Sequence, residues 1–453
     1  MKSNILILFI ILASFFSSCE NSLEIDPKNS RDAKDILNSE AGITNILSGT
    51  YAQAASGIGY GGRILIVSDL LAQTGSSSSE LRFRGTTSSL RNIFTKSILV
   101  DNTAVEDIYT NNYGIINSAN TVIGNIAVVS NPALQTKMIA EAKFLRSLAY
   151  FDLVRLFALP YEAGVPNNQL GVVVRPNAIY DYSADLSKER STVEEVYASI
   201  INDLNSAYAD LPANNSFYAD KYAAKALLAR VYLQHGNYVG ARDAAHDVIQ
   251  NSGNGLMTKY AQAFNHDTDQ IEDIFAIQIT KQSGSNQLVN SYASEINGGR
   301  GGDIVINSAY INKFEINDER GKFVYINPVN NRRLSSKYTS EFADVPLIRL
   351  AEMYLIRAES NFRQGTSLGN TFTNDINLLR TRAMASTFAN PTLANILRER
   401  ELELGMEGFR IHDIKRTKAS ISTSLPYNSN KLVFPIPLKE MNTNKRITQN
   451  PGY

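Results

Sequence analysis

The sequence predicts a mostly helical protein. Apolar residues recur every three or four positions over 136–159 and again over 345–364, and three further helical stretches follow one another between 192 and 251. In the first segment the repeating positions are Met138, Ala142, Leu145, Ala149, Leu153 and Leu156, and Pro160 stops the run. In the second they are Leu347, Ala351, Tyr354, Leu355, Ala358 and Phe362. Arg349, Glu352, Glu359 and Arg363 are left for a wetter face, and Gly365 forms the stop. Between 192 and 251, Leu228, Ala229, Tyr232 and Ala241 fall at the small and aromatic positions of a tetratricopeptide-type helical pair, with Gly236-Asn237-Tyr238 as the turn.

Two stretches read as long loops, 56–98 and 282–336, the second centred on Gly298-Gly299-Arg300-Gly301-Gly302. Loops longer than about 12 to 15 residues in a compact protein are usually functional or disordered, so these are the first places to look for a binding surface. Short β-like runs at 274–279 and 323–326 are available to pin them.

The N-terminus reads as an export signal. Lys2 supplies a positive start, residues 5–16 are uninterruptedly apolar, and small residues lead into Cys19. The apolar run is far shorter than the roughly 20 residues that span a bilayer. Cys19 is the only cysteine in 453 residues, placed where a lipoprotein signal peptidase would leave it first in the mature chain. A lone cysteine in an exported chain cannot form an internal disulfide, so lipidation is the expected use. Two or more acyl chains hold a protein stably at a membrane surface.

Removing residues 1–18 takes away one charge, that of Lys2, and leaves a formal charge near minus one. No basic stripe or polybasic helix points to nucleic acid or an anionic membrane face. Gly57-Ile58-Gly59-Tyr60-Gly61-Gly62 matches a dinucleotide pattern only in composition, because it follows a helical segment instead of a strand. The histidines at 235, 246, 266 and 412 lack zinc spacing, and neither a serine-hydrolase elbow nor a phosphate loop is present. No cofactor is implied. Oxygen ligands need no tight motif, so Asp267 and Asp269 leave calcium open, although such a pair is more often a solvated turn. Glu399, Glu401 and Glu403 crowd the segment 396–416 and could supply a glycosidase pair. With Arg398, Arg400 and Arg410 among them, ion pairs are the expected use.

Several motifs in order resemble the SusD/RagB family of Bacteroidota outer-membrane lipoproteins, and the likeness covers essentially the whole mature chain. They begin with Cys19, Leu23-Glu24-Ile25-Asp26-Pro27 and Leu47-Ser48-Gly49-Thr50-Tyr51. The stretch from Ala140-Glu141-Ala142-Lys143-Phe144-Leu145-Arg146 on to Tyr150-Phe151-Asp152-Leu153-Val154-Arg155-Leu156-Phe157 is the most distinctive. Further matches lie at 221–232, 346–352, 398–401 and 407–410, and the ends Phe434-Pro435-Ile436-Pro437 and Gln449-Asn450-Pro451-Gly452-Tyr453 are alike too.

The resemblance implies an all-α fold, a scaffold of tetratricopeptide-like helical pairs with long irregular loops and minor short β segments. It implies a signal peptide at 1–18 and one domain over 19–453, with an N-terminal part of about 19–310 and a C-terminal part of about 311–453. The implied function is capture of a nutrient, a glycan or oligosaccharide foremost, for a SusC-like TonB-dependent transporter at the cell surface, without catalysis. A surface glycosidase, a helical-repeat scaffold without a small ligand, and a peptide ligand are the alternatives.

The chain holds no tryptophan, and Tyr109 stands where members often carry one, so any stacking on a sugar ring must use Tyr or Phe. Candidate ligand-binding residues are therefore Tyr60, Arg63, Arg82, Phe83 and Arg84 from one loop and Tyr292 and Arg300 from the other. Aromatic faces and planar guanidinium donors suit sugar rings, hydroxyls and carboxylates. Each residue singly also has the plainer role of packing or solvating a loop.

Overall fold

A computed structural model describes residues 33–453 apart from Ser283 and Ser285. Cys19, the signal segment and the motif at 23–27 lie outside the described residues. After a short helix at Ala33–Leu37 come α1 (Glu40–Ala55), α2 (Arg63–Leu71), α3 (Ser88–Thr95), α4 (Thr103–Gly124) and α5 (Pro132–Phe157). They are followed by α6 (Val193–Asp210), α7 (Lys221–His235) and α8 (Tyr238–Asn251). Side-chain caps start most of them: Asn102 accepts from the N–H groups of Ala104 and Val105, and Asn131 from those of Ala133 and Leu134. Thr192 and Glu195 form a reciprocal capping box on α6. The expected turn between α7 and α8 is present, with Gly236 at φ +78° ending one helix and the Asn237 side chain capping the next.

Neighbouring helices pack in sequence order, α4 on α5, α5 on α6, α6 on α7 and α7 on α8, which gives the tetratricopeptide-like scaffold. The strip is buried most deeply at α5, where Phe144, Phe151 and Phe157 are enclosed on all sides. Each such side chain stabilises the fold by about 1.5 to 3 kcal/mol. The C-terminal elements are the short α9 (Gln287–Tyr292), then α10 (Leu350–Gln364), α11 (Phe372–Arg382), α12 (Leu393–Glu403), α13 (Arg410–Arg416) and α14 (Leu438–Thr443). Helix α10 packs on α8 and carries α11 and α12, so the repeat continues across the intervening irregular region.

Among eight short strands in the described residues are β1 (Leu81–Phe83), β2 (Asp273–Ile277), β3 (Ile304–Ile306), β4 (Val324–Ile326), β5 (Arg333–Ser335) and β6 (Val345–Arg349). They pair antiparallel as β1 with β3, β2 with β6 and β4 with β5. Three expectations need correction. Residues 56–98 are not one loop, since α2, β1 and α3 lie within them. Helix α2 is buried on nearly every face and so lacks the one-sided stripe by which surface helices are recognised. Residues 345–349 are strand, not helix: Pro346 sits in β6, and pairing with β2 supplies the hydrogen bonds that a helix would have made internally. Nor do Arg349, Glu352 and Glu359 face water, because all three are buried in ion pairs.

Candidate functional site

The two predicted loop regions do meet. Strand β1 pairs with β3 in the register Leu81 to Ile306, Arg82 to Val305 and Phe83 to Ile304. Beyond it the Arg84 N–H donates to the Asp303 carbonyl at 2.6 Å, and the Gln287 N–H donates to the Gly61 carbonyl at 3.0 Å. The Arg300 guanidinium holds the Asp303 carboxylate from three residues away, with its Nε at 2.9 Å. Gly302, at φ +78°, lets the chain turn here, where a Cβ would lie 2.2 Å from Leu334 Cδ2. Arg84 and Arg300 are exposed, and Arg63 and Arg82 half-buried. Burial and the nearby positive charge of Arg300 lower the Arg63 pKa, against the opposing pull of Asp107.

The aromatic members of the predicted set are elsewhere. Tyr60 is 1% exposed, Phe83 5% and Tyr292 0%, so none offers a ring face to a ligand. Apolar side chains flank the loops in sequence, and those rings fill the space beneath. The Tyr292 hydroxyl donates to Asp69 at 2.8 Å, and the Gly408 N–H donates to the other oxygen of that carboxylate at 3.1 Å. Burial pushes the Asp69 carboxyl up to about 7 despite both bonds. The loop surface is thus an arginine cluster without a stacking platform.

The carboxylates of the 396–416 segment are all engaged. Glu399 is held by Arg320 and, at 2.8 Å, by Arg380. Glu403 meets Arg382, and Arg349 and Arg320 at 3.3 Å each. Glu401 takes Lys313, Arg398 and Arg410. The ion pairs expected from the sequence are there, but most partners come from other elements instead of from the neighbouring arginines. Arg400, for instance, bonds Asp413 at 3.0 Å and Glu352 at 3.2 Å.

A groove of about 710 Å³ runs along α4. Its floor is one helical face, with Glu106, Tyr109, Tyr113 and Asn117 at successive turns. One wall is the irregular segment 175–186 and the other is α14 with Asn444. Asparagines tie the first wall to the floor. Asn117 donates to the Ile179 carbonyl at 3.1 Å and accepts the Ile179 N–H at 2.7 Å, while Asn120 donates to the carbonyls of Arg175 and Asn177. Asn444 joins the walls, accepting the Lys188 N–H at 2.9 Å and donating to Glu440 at 2.9 Å. On the rim Tyr182 is 73% exposed.

Sequence reasoning missed this groove. It lies outside both predicted loops, although Tyr180-Asp181-Tyr182 is an aromatic pair in a polar, helix-poor run, the signal that could have found it. Tyr109, noted for replacing tryptophan, lies in the floor with its ring against Tyr113 and Phe157 at 4.7 and 5.1 Å. Among the described residues no group of three or more His, Cys, Asp or Glu is placed to hold a metal ion, and no helix is long and apolar enough to cross a membrane.

Comparison with known proteins agrees with this architecture. Residues 23–233 match a family model described as starch-binding and associating with the outer membrane, and residues 257–430 match that of the SusD family. Among curated relatives, a SusD-like protein of Bacteroides ovatus is 27% identical, over 67% of this chain and 63% of its own length, so the chain spans under two thirds of that relative. A SusD-like protein of Formosa agariphila is 24% identical with 99% of both chains covered, and the starch-binding protein SusD of Bacteroides thetaiotaomicron is 26% identical over 69% of this chain and 72% of its own. Among solved structures, a Bacteroides vulgatus protein named as a proposed sugar binder superposes with a TM-score of 0.81 at 26% identity, covering 92% of this chain and 99% of that one.

Proposed function

Because this chain belongs to the SusD family, we propose that it binds carbohydrate at the cell surface and delivers a glycan or oligosaccharide to a SusC-like TonB-dependent transporter. The observation that carries the reading is the groove along α4, an open cleft of about 710 Å³ with an exposed tyrosine on its rim and carboxylates on its walls. Concave sites with a few convergent polar groups are where small ligands bind. The partner follows from family kinship alone. A lipid on Cys19 is the anchor in this reading, and residues 19–453 act as one unit on the outer membrane.

Binding without turnover is the chemistry that fits. A glycosidase needs one carboxylic acid able to donate a proton and a second carboxylate about 5 to 10 Å away. Glu399 and Glu403 are fully buried and locked to guanidinium groups, which leaves no path to a substrate, and the guanidinium groups around Glu403 hold its carboxyl ionised. The test is calorimetric titration of the purified mature protein with starch oligosaccharides, other glycans and peptides, with the sugar products analysed afterwards. A saccharide class should saturate the protein and be recovered intact. Binding of peptides alone overturns the carbohydrate reading, and released reducing ends would make the protein a glycosidase.

A further inference from the structure

We propose that the α4 groove is the sugar seat and that it selects neutral saccharides over anionic ones, an inference that rests on the carbohydrate reading above. The argument is one of charge and of unspent hydrogen-bonding capacity. Three carboxylates, Glu106, Asp185 and Glu440, line the groove against two cations, Lys439 and Arg175. Arg175 is already committed, donating to the Leu186 carbonyl at 2.7 Å across the base of its own loop. Hydrogen bonds from the Ser187 hydroxyl and N–H hold the Asp185 carboxyl below the usual carboxylate range, so it is ionised at neutral pH.

The other two carboxylates retain acceptor capacity. The Glu106 carboxylate, half-buried on the floor, has no hydrogen bond or ion pair among the described residues. Glu440 accepts from Asn444 with one oxygen and keeps the other. An ionised carboxylate is acceptor-only and can take both hydroxyls of a vicinal diol, the group that a neutral sugar offers in quantity. A uronate or sulfate would instead bring negative charge against three like charges, with two cations, Lys439 and Arg175, to offset them.

Two aromatic groups complete the site. Asn117 donates to the Tyr182 hydroxyl at 3.1 Å, which fixes one edge of the ring and leaves its face in solvent, as a platform for the C–H face of a pyranose. The Tyr109 ring lies in the floor, 4% exposed, with its hydroxyl against that of Tyr113. The asparagine ties already order the walls, so little ordering cost falls on binding. The arginine cluster on the β1–β3 loops has the opposite character, and if it were the seat, acidic saccharides would be preferred.

The experiment measures affinity of the mature protein for neutral glucose oligomers and for uronic acid oligomers of equal length. The neutral series should bind at least tenfold more tightly. Tyr182→Ala should weaken that binding about tenfold, with Tyr182→Phe restoring it. Glu106→Gln should weaken neutral sugars severalfold and narrow the gap between the two series. Arg84→Ala with Arg300→Ala should leave both unchanged, and unaltered melting temperatures establish that the variants fold. Equal or tighter uronate binding, or full affinity in both groove variants, overturns the proposal while leaving carbohydrate binding intact. Failure of the wild-type protein to bind any saccharide refutes the underlying reading instead.

Discussion

Glu403→Gln should cost about 3 kcal/mol of stability at neutral pH and should remove a defined part of the acid sensitivity. Glu403 is 0% exposed, at the centre of a network that joins β6, α11, α12 and the turn before α13. Burial alone would raise its carboxyl, but Arg382, Arg349 and Arg320, with Lys337 behind them, overcome that and hold it at about 2 against an ordinary 4.5. That difference corresponds to about 3 kcal/mol, the scale on which breaking a buried ion pair is costly. The sign follows from proton binding. The folded value lies below the unfolded one, so the contribution is complete above about pH 5 and is lost as pH falls from 4.5 towards 2. Glutamine keeps the shape and an oxygen acceptor but leaves the three guanidinium groups short of one counter-charge. Urea unfolding of wild type and variant at pH 7, 5 and 3 measures both effects. A gap below 1 kcal/mol at pH 7, or one that does not shrink between pH 5 and pH 3, would refute the reasoning.

Three more outcomes follow from individual sites. Asp69, raised by burial to about 7, binds its proton more tightly folded than unfolded, so this carboxyl alone should withdraw about 4 kcal/mol of stability between pH 4 and pH 7. Asp69→Asn should flatten that slope in the same unfolding series, and an unchanged slope counts against it. Gly302→Ala combines a left-handed backbone with a Cβ 2.2 Å from Leu334 Cδ2, and should lower stability by about 1 to 3 kcal/mol, read as a reduced melting temperature. Cys19→Ser should move the protein from the detergent phase to the aqueous phase on cloud-point partition, and retention in the detergent phase would exclude lipid anchorage at that residue.

Helices whose neighbours lie close in sequence were legible, because capping residues and apolar spacing are local properties. Asn131-Pro132 and Pro160 bracket α5, and Gly236-Asn237 turns α7 into α8. What misled was burial. Helix α2 has no wet face, and Arg349, Glu352 and Glu359 occupy positions that periodicity assigns to solvent while their charges are paired inside. Residues 345–349 carry helical spacing, yet β2, some seventy residues earlier, turns them into strand, and no local window contains that partner. The candidate site failed for the same reason in reverse. Glycine and arginine content marked both regions, but whether Tyr60, Phe83 and Tyr292 point inward depends on the core beneath them.

The division of carboxylates within the molecule bears most directly on function. Around α10 and α12, acids face arginines with little water between, and their role is to fix helices relative to one another. In the groove the acids face open space, Glu106 on the floor and Asp185 and Glu440 on walls built from an irregular segment and from α14. That last helix follows residue 430, where the second family match ends, and it is fastened back onto the scaffold. The Phe434 N–H donates to the Leu156 carbonyl at 2.8 Å, and the Asn450 side chain donates to the Phe157 carbonyl at 2.8 Å. Floor and walls therefore have different origins: the floor is a scaffold helix whose other faces are committed to packing, whereas the walls make few packing contacts that restrict their side chains. Substitutions at Tyr182, Asp185 or Lys439 can change what the groove accepts without disturbing α4 or α5, which is how one rigid scaffold can serve chemically different ligands.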